Sequence, residues 1–167
     1  AGGAVAIKTH QRLLSTSRQV TYSVGRELRA LRNLRHPCIV SFYGAVIDEA
    51  KPEIFMVEEL IYGESLLAYI KGKADIRDRR KWTFLCQLIS VLEFLHRDDP
   101  GIIHGDIKPS NVMITTGRNV KLIDFGLSWK TRSHGLGNGG SLAYLAPELL
   151  LGQGVSYGGD VFAFGRL

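Results

Sequence analysis

The chain of 167 residues contains only two cysteines, Cys38 and Cys86. That number is too small for the disulfide framework of a small secreted domain. Each cysteine stands in an apolar stretch, which predicts buried free thiols in a reducing compartment. We therefore expect a cytoplasmic location for this part of the protein.

Long apolar runs are also missing, although 45% of the residues are hydrophobic. No run reaches the roughly 18 residues that a membrane span needs, so no membrane segment is expected within the chain. The first residues, 1–8, lack the charged and apolar regions of a secretory signal peptide. The composition is sufficient for one hydrophobic core, in a single domain or in two thin lobes.

Acidic residues are scarce near the amino terminus. Between Lys8 and Asp48 the only acid is Glu27, whereas six arginines occur there. A basic helix face of this kind is compatible with nucleic acid or an anionic lipid surface, but we favour a solvated face and expect no nucleic-acid partner. Glu27 lies on the inner edge of an apolar stripe at helical spacing, which comprises Val20, Val24, Leu28, Leu31 and Leu34.

Hydrophobic periodicity predicts a chain of mixed helices and strands. Alternation over 4–8 indicates a strand with Ala6 and Lys8 on one face. A longer helix follows residue 80, with an apolar face of Trp82, Leu85, Leu88, Ile89, Leu92 and Leu95. The remaining predictions are strands over 39–46, 54–57, 112–114 and 120–123, a connector over 62–65, a helix capped by Ser65, and helices over 147–151 and from residue 160 onward.

The residues that can carry chemistry are concentrated in two short runs. His-Gly-Asp-Ile-Lys-Pro-Ser-Asn at 104–111 is followed by Leu-Ile-Asp-Phe-Gly at 122–126. Phosphoryl transfer from ATP needs a carboxylate that orients a hydroxyl, a cation at the phosphate, and oxygen ligands for magnesium. Each residue alone is equally well explained as a turn or surface residue. Together they supply a candidate for every role: the catalytic base Asp106, the cation Lys108, and the magnesium ligands Asn111 and Asp124.

These runs resemble the catalytic domain of eukaryotic protein kinases. The resemblance implies an α+β, bilobal protein-kinase-like fold that is partial at both ends. Residues 1–59 would form part of the amino-terminal lobe, and residues 60–167 part of the carboxy-terminal lobe, with the activation segment at 124–148. Four other segments match the family in order and spacing: Val-Ala-Ile-Lys at 5–8, His-Pro-Cys-Ile-Val at 36–40, Ala-Pro-Glu at 146–148 and Asp-Val-Phe-Ala-Phe-Gly at 160–165.

The resemblance also implies an ATP site. Lys8 would hold the α- and β-phosphates, and Glu27 would hold Lys8 in place, whereas a surface ion pair between them would contribute at most about 1 kcal/mol. The expected cofactors are ATP and Mg²⁺, and the expected partner is a protein substrate. Four further residues match positions around the adenine: Ala6 over the ring, Met113 below it, and Glu59 and Ile61 in the hinge, where backbone groups contact the base.

Two features resemble the serine/threonine branch of the family. Lys108 follows Asp106 by two positions, and Gly-Ser-Leu-Ala-Tyr at 140–144 resembles Gly-Thr-x-x-Tyr with a hydroxyl kept at Ser141. The resemblance therefore implies a protein serine/threonine kinase with Asp106 as the catalytic base. The alternatives are tyrosine or dual specificity, a small-molecule kinase of the aminoglycoside or choline type, and a non-catalytic pseudokinase or scaffold.

Gly105 departs from the family pattern, because an arginine often stands there and binds a phosphate on the activation segment. Glycine cannot pair with phosphate, and residues 134–140 contain no hydroxyl. We hypothesise that the usual loop-phosphate switch is not used. Glu58 is a second departure, a charged residue at the back of the adenine pocket that points either toward Lys8 or outward. The hydroxyls that remain as possible phosphorylation sites are Ser128, Thr131, Ser133 and Ser141.

The two ends of the chain also enter the prediction. Only Ala1 to Ala4 precede Val5, where the family has a glycine-rich loop over the ATP phosphates, and Leu167 falls inside the family's buried helix. We expect a fragment of a kinase domain that by itself is poorly soluble and has negligible activity. The sequence leaves the protein substrate and the oligomeric state open, and it is compatible with the intracellular part of a receptor.

Overall fold

A computed structural model describes residues 3–11, 18–47, 53–72, 80–130 and 141–167. Residues 48–52 between two of the predicted strands, the hydroxyl-free stretch 134–140, and the hydroxyls of Thr131 and Ser133 lie outside these residues. Among the helices that are described, none is both long enough and apolar enough to cross a membrane.

The first sheet lies in the amino-terminal part of the chain and consists of three antiparallel strands. Alternation sorts the first strand as predicted, because Val5 and Ile7 are exposed whereas Ala6 and Lys8 are partly buried. In the register of the sheet, Ala6 lies opposite Glu58. The strand order is β1-β3-β2, with bounds of Val5–Gln11 for β1, Phe42–Ile47 for β2 and Glu53–Glu59 for β3.

The arginine-rich segment forms the helix α1 (Arg18–Leu31). Val24, Ala30 and Leu31 are buried, and Glu27 is buried among them with 0% of its surface exposed. The helical spacing of the apolar residues explains this, since it turns one face of α1 toward the core. The predicted inner position of Glu27 is therefore confirmed.

The predicted connector over 62–65 contains a short strand, β4 (Gly63–Ser65). Gly63 lies so close to the neighbouring chain that a Cβ atom would come within 2.0 Å of the carbonyl oxygen of Ile114. Only glycine fits that approach. Ser65 then caps α2 (Leu66–Gly72) as predicted, because its Oγ accepts a hydrogen bond from the N–H of Ala68 at 3.1 Å.

The longest helix is α3 (Arg80–Leu95), and its predicted apolar face is partly wrong. Trp82 is 72% exposed and Ile89 is 50% exposed. The helix instead buries a face that includes Phe84 and Val91, which the prediction omitted. The side chains that α3 buries are Phe84, Leu88, Val91, Leu92 and Leu95.

Short strands surround the candidate catalytic run. β6 (Val112–Thr115) and β7 (Val120–Leu122) form a hairpin that pairs with β4 in the order β4-β6-β7. A second pair joins β5 (Ile102–Ile103) to β8 (Trp129–Lys130). The sequence pattern predicts no strand over residues 129–130, so β8 is an element that the prediction missed. The pair brings the end of β5 close to the segment after Asp124.

Two helices complete the described part of the chain, α4 (Pro147–Leu150) and α5 (Tyr157–Gly165). α5 begins three residues earlier than predicted, because Ser156 caps it. The Oγ of Ser156 accepts a hydrogen bond from the N–H of Gly159 at 3.1 Å. Asp160 therefore lies in the first turn of the helix, where it is buried with 2% of its surface exposed.

The larger buried cluster contains side chains from both sides of the predicted boundary between residues 59 and 60, for example Met56 and Leu95. Two main-chain hydrogen bonds also join these parts: the N–H of Leu122 donates to the carbonyl of Cys38, and the N–H of Val40 donates to the carbonyl of Leu122. The division into lobes at this boundary stays a prediction. Cys38 is buried as predicted, but Cys86 is exposed on α3, so the prediction of two buried thiols is wrong for Cys86.

Candidate active site

Asp106 lies in the loop that follows β5, and its carboxylate is held by the two polar residues that follow it. Asn111 donates hydrogen bonds from Nδ2 to the Asp106 carbonyl at 2.9 Å and to Oδ2 at 3.0 Å. The Nζ of Lys108 lies 2.6 Å from the same Oδ2. The structure therefore brings Asp106, Lys108 and Asn111 into one cluster, as the sequence spacing predicts.

Lys108 extends the cluster to the start of the segment that precedes α4. Its Nζ donates a hydrogen bond to the Oγ of Ser141 at 3.2 Å. The Nζ of Lys108 therefore contacts both the Ser141 hydroxyl and the Asp106 carboxylate. Lys108 links the two groups within one cluster.

Lys8, Glu27 and Asp124 form a second charged cluster. The Nζ of Lys8 lies 2.6 Å from Oε1 of Glu27 and 2.9 Å from Oδ1 of Asp124. Burial alone would lower the pKa of Lys8, but the two carboxylates outweigh burial and raise it above the usual value. Burial opposes the charged form of Asp124 as well, and Lys8 outweighs it and lowers the pKa of that carboxyl. Lys8 and Asp124 are therefore both charged near pH 7.

The hairpin of β6 and β7 brings the two predicted magnesium ligands to the same end. The N–H of Ile123 donates to the carbonyl of Asn111 at 3.0 Å, so Asp124 follows directly after the residue that contacts Asn111. Asp124 has a φ of 64°, and its Oδ1 accepts from the N–H of Gly126 at 3.3 Å. One carboxylate and one amide oxygen fit Mg²⁺, which binds few protein ligands and takes the rest from phosphates and water.

Asp160 anchors the loop that carries Asp106 by accepting hydrogen bonds from the start of that loop. The sequence prediction missed this role. Its Oδ2 accepts from the N–H of His104 at 2.8 Å and lies 2.9 Å from Nε2 of His96, and its Oδ1 accepts from the N–H of Gly105 at 2.9 Å. One sequence signal could have indicated this role: Asp160 is a single acid at the start of an apolar helix. A carboxylate that is buried with such a helix needs hydrogen-bond donors from elsewhere in the chain.

His104 connects the loop to the segment that carries Asp124. Burial lowers the pKa of His104, so its ring is neutral near pH 7. Nδ1 accepts from the N–H of Asp106 at 3.2 Å, and the ring proton is therefore assigned to Nε2, which donates to the carbonyl of Ile123 at 3.2 Å. The ring also meets Phe125 edge to face, with centroids 4.7 Å apart. His104 thus fixes both halves of the site relative to each other.

Gly105 has a conformational role besides the missing arginine. Its φ is +77°, and a Cβ atom would lie 2.6 Å from the carbonyl oxygen of Leu127. A side chain would require both a left-handed backbone conformation and a shift of that carbonyl. The backbone geometry therefore gives a second reason for glycine at this position.

We predict that Gly105→Ala lowers the free energy of unfolding by about 1–3 kcal/mol, because the left-handed conformation and the close carbonyl each cost energy. Urea denaturation of the natural protein that carries this chain measures the loss. Gly152→Ala is the matched control, since Gly152 also has a positive φ, 76°, but open space around its Cβ position. An equal loss in both variants would contradict the role of the Leu127 carbonyl.

The four residues predicted around the adenine occupy separate positions. Ala6 is partly buried on β1 opposite Glu58, and Met113 is partly buried on β6. Ile61 packs partly buried against the core. The carboxylate of Glu59 accepts from the N–H of Ser41 at 3.1 Å and from Nζ of Lys121 at 2.8 Å, a side-chain contact that the prediction overlooked. Their roles toward a nucleotide stay a prediction.

Glu58 faces the same side of the sheet as Lys8, because it lies opposite Ala6, two residues away on β1. Its Oε1 is buried and has no hydrogen-bond partner among the described residues. Burial, followed by the charge of Glu27, raises the pKa of the Glu58 carboxyl to about 7, although Lys8 acts in the opposite direction. The orientation that the sequence left open is therefore toward the Lys8 cluster.

We predict that Glu58→Gln stabilises the fold above pH 7 and loses this effect toward pH 4.5. The unfolded carboxyl ionises near its ordinary pKa of 4.5 and the folded one near 7, so stability falls as the pH rises between these values. Because the side chain is only partly buried, we discount the full shift for screening and expect a gain of about 1–2 kcal/mol at pH 8. Urea denaturation at several pH values checks this, with exposed Glu64→Gln as a control that should show no such pH dependence.

Known proteins similar to this chain agree with the geometry. Residues 1–167 match the protein kinase domain family over their whole length. The chain belongs to this family. The predicted α+β protein-kinase fold is thereby confirmed, and members of the family use ATP and Mg²⁺.

Three curated relatives illustrate the similarity. The SNF1-related protein kinase catalytic subunit alpha KIN12 of Arabidopsis thaliana is 35% identical over 162 residues, which cover 96% of this chain and 32% of that protein. The serine/threonine-protein kinase VIK of the same plant is 34% identical over 175 residues, covering 99% of this chain and 40% of that protein. The serine/threonine-protein kinase cds1 of Schizosaccharomyces pombe is 33% identical over 163 residues, covering 93% and 34%. The chain therefore spans well under half the length of these relatives.

Proposed function

We propose that this kinase domain transfers the γ-phosphate of ATP to a serine or threonine hydroxyl of a protein, with Asp106 as the catalytic base. The observation that carries the proposal is the shared contact at Oδ2 of Asp106, which Asn111 approaches to 3.0 Å and Lys108 to 2.6 Å. A carboxylate fixed by an amide and a cation is oriented without being free to rotate. It can then accept a hydrogen bond from a substrate hydroxyl.

In the proposed reaction, Asp106 accepts the hydrogen bond of the incoming hydroxyl and takes its proton late. A bond forms between the hydroxyl oxygen and the γ-phosphorus while the bond to the leaving ADP oxygen breaks. Lys108 neutralises negative charge on the transferring group, and Lys8 holds the α- and β-phosphates. Glu27 positions Lys8 through the 2.6 Å contact. The carboxylate of Asp106 thus serves as the proton acceptor, and the two lysines serve as cations for the phosphates.

Asn111 and Asp124 would hold Mg²⁺ in this mechanism. When bound, the ion neutralises and orients the phosphate oxygens. Asn111 uses Nδ2 for its contacts with Asp106, which leaves its side-chain oxygen Oδ1 for a cation. Asp124 is kept charged by Lys8. Together with Ala6, Met113 and the hinge backbone at Glu59 and Ile61, these residues form the proposed nucleotide site.

Serine/threonine specificity is supported by the contact between Lys108 and Ser141, which are 3.2 Å apart. Two of the relatives carry serine/threonine-protein kinase in their names. We also propose the division into lobes at residues 59 and 60, and a cytoplasmic location, which the two free cysteines support.

The absence of the loop-phosphate switch remains our hypothesis on regulation. Ser128 is buried with 3% of its surface exposed, so it is a poor site for a modifying enzyme. The Oγ of Ser141 accepts a hydrogen bond from Nζ of Lys108. If a stoichiometric phosphate is mapped on one of the four candidate hydroxyls, and its alanine variant loses most activity, the hypothesis is wrong.

The experiment that tests the function is transfer of labelled γ-phosphate from ATP with Mg²⁺ to a mixed panel of proteins by the natural protein that carries this chain. We expect label on serine and threonine in phosphoamino-acid analysis. Label on tyrosine would contradict the specificity, and label on choline or an aminoglycoside would favour the small-molecule alternative. No transfer in the presence of normal ATP binding would favour a pseudokinase.

A further inference from the structure

A cation–π contact joins α1 to the activation segment. The guanidinium carbon of Arg26 lies 4.7 Å from the centroid of the Trp129 ring, within the distance at which such contacts are attractive. Both side chains are partly buried, which strengthens the attraction because less water competes for the cation. The described chain thus has an attractive contact between two elements that are far apart in sequence.

Arg26 is directly beside a residue of the proposed mechanism, and Trp129 pairs with the strand that leads into the loop of Asp106. Arg26 precedes Glu27, whose carboxylate holds Lys8. Trp129 pairs with Ile103 in the β5–β8 ladder, and Ile103 precedes His104 at the start of the catalytic loop. The contact therefore connects the helix that carries Glu27 to the strand pair that leads into the catalytic loop.

We propose that Arg26 and Trp129 are a positioning pair, which holds α1 so that Glu27 reaches Lys8 without a phosphate on the activation segment. This inference rests on the proposed function. In kinases that use the switch, a phosphate and an arginine order the activation segment and thereby position this helix. Here Gly105 supplies no cation, whereas α1 supplies one itself and the activation segment supplies the ring. The contact between α1 and the activation segment then forms on folding and needs no phosphorylation.

The surroundings of the pair suggest an alternative explanation, in which a phosphate forms the link between α1 and the activation segment. A cavity of about 340 Å³ borders it, and its lining includes Arg29 and Lys130 besides the pair. Positive charge on this wall could instead receive a phosphate, which would make the link dependent on phosphorylation. The two explanations differ in their response to phosphatase, and the test below separates them.

The kinetic test compares charge and ring variants in the natural protein that carries this chain. We expect Arg26→Met and Trp129→Leu each to raise the KM for ATP, and to lower kcat/KM for ATP about tenfold, with the KM for the protein substrate unchanged. The double variant should lose no more than either single variant. Arg26→Lys and Trp129→Phe, which keep a cation or a ring, should retain most of the activity. Arg29→Met on the same cavity wall is the matched control and should leave the KM for ATP unchanged.

A spectroscopic readout follows the pair independently of turnover. With 5-fluorotryptophan incorporated, the fluorine resonance of Trp129 is assigned by its loss in Trp129→Phe. We expect Arg26→Met to shift this resonance and Arg29→Met to leave it in place, with or without phosphatase treatment. An unshifted resonance in Arg26→Met would overturn the proposal, and so would a shift that phosphatase alone produces. Equal kinetic losses in Arg26→Lys and Arg26→Met would overturn it as well.

Failure of this inference can be told apart from failure of the proposed function. If the natural protein transfers no phosphate, the proposed function fails, while the fluorine shift still reports whether the pair forms, and equilibrium ATP binding by Arg26→Met reports whether ATP binding depends on it. If phosphate is transferred and Asp106→Asn abolishes the transfer, but Arg26→Met changes neither the resonance nor the KM for ATP, only the positioning pair is wrong.

Discussion

Replacing Asp160 by alanine is expected to lower the free energy of unfolding by about 3–5 kcal/mol and to lower phosphotransfer at least tenfold. The carboxylate is buried and accepts hydrogen bonds from the N–H groups of His104 and Gly105, at 2.8 and 2.9 Å. Without it, both buried donors lose their partner and His96 loses its contact at 2.9 Å. The loop that carries Asp106 then loses these hydrogen bonds to α5.

Urea denaturation and amide hydrogen exchange measure this prediction in the natural protein that carries this chain. We expect faster exchange at residues 104–106 in Asp160→Ala, even under conditions where the protein remains folded. Asp98→Ala is a suitable control, because Asp98 is an exposed acid in the turn after α3. Unchanged exchange at 104–106 in Asp160→Ala would show that another contact anchors the loop.

Lys8→Met is expected to reduce ATP turnover at least a hundredfold and also to destabilise the fold by about 2–4 kcal/mol. The activity falls because no cation remains for the phosphates. The stability falls because Glu27, whose side chain is 1% exposed, is left as a buried charge without Lys8. The neighbouring carboxylates of Glu58 and Asp124 add repulsion once the lysine is gone.

The two effects of Lys8→Met can be separated by changing its partner as well. The double variant Lys8→Met and Glu27→Leu removes both charges, so it should recover most of the lost stability without recovering activity. Lys121→Met serves as control, since it breaks the 2.8 Å ion pair with Glu59 without removing Lys8, the cation proposed to hold the phosphates. If the double variant is as unstable as Lys8→Met, the buried charge is not the cause.

Local sequence signals predicted most of the candidate site. Asp106, Lys108 and Asn111 lie within six positions, so a tight loop alone brings their side chains together. Glu27 was found from the helical stripe, because burial of one face of α1 follows from its own periodicity. In both cases the decisive contacts are set by spacing along a short segment.

Contacts between distant segments could not be read in the same way. Asp160 lies 56 positions from His104, and nothing in its own segment indicates that it accepts hydrogen bonds from that loop. The pair of Arg26 and Trp129 depends on strand β8. The mostly polar and glycine-rich composition of residues 128–141 gave no indication of a strand there. The burial of α3 depends on which neighbouring side chains fill the core, so Trp82 was assigned to the wrong face. Tertiary packing decided each of these positions.

The most direct test of the account is single-turnover phosphotransfer by Asp106→Asn in the natural protein that carries this chain, measured together with ATP binding. Asparagine keeps the shape of the side chain but cannot take the proton of the substrate hydroxyl. We predict a rate about 10²–10⁴-fold lower than that of the unchanged protein, with ATP affinity within about twofold. The control Asp98→Asn should match the unchanged protein. A rate for Asp106→Asn close to that of the unchanged protein would contradict the assignment of Asp106 as catalytic base.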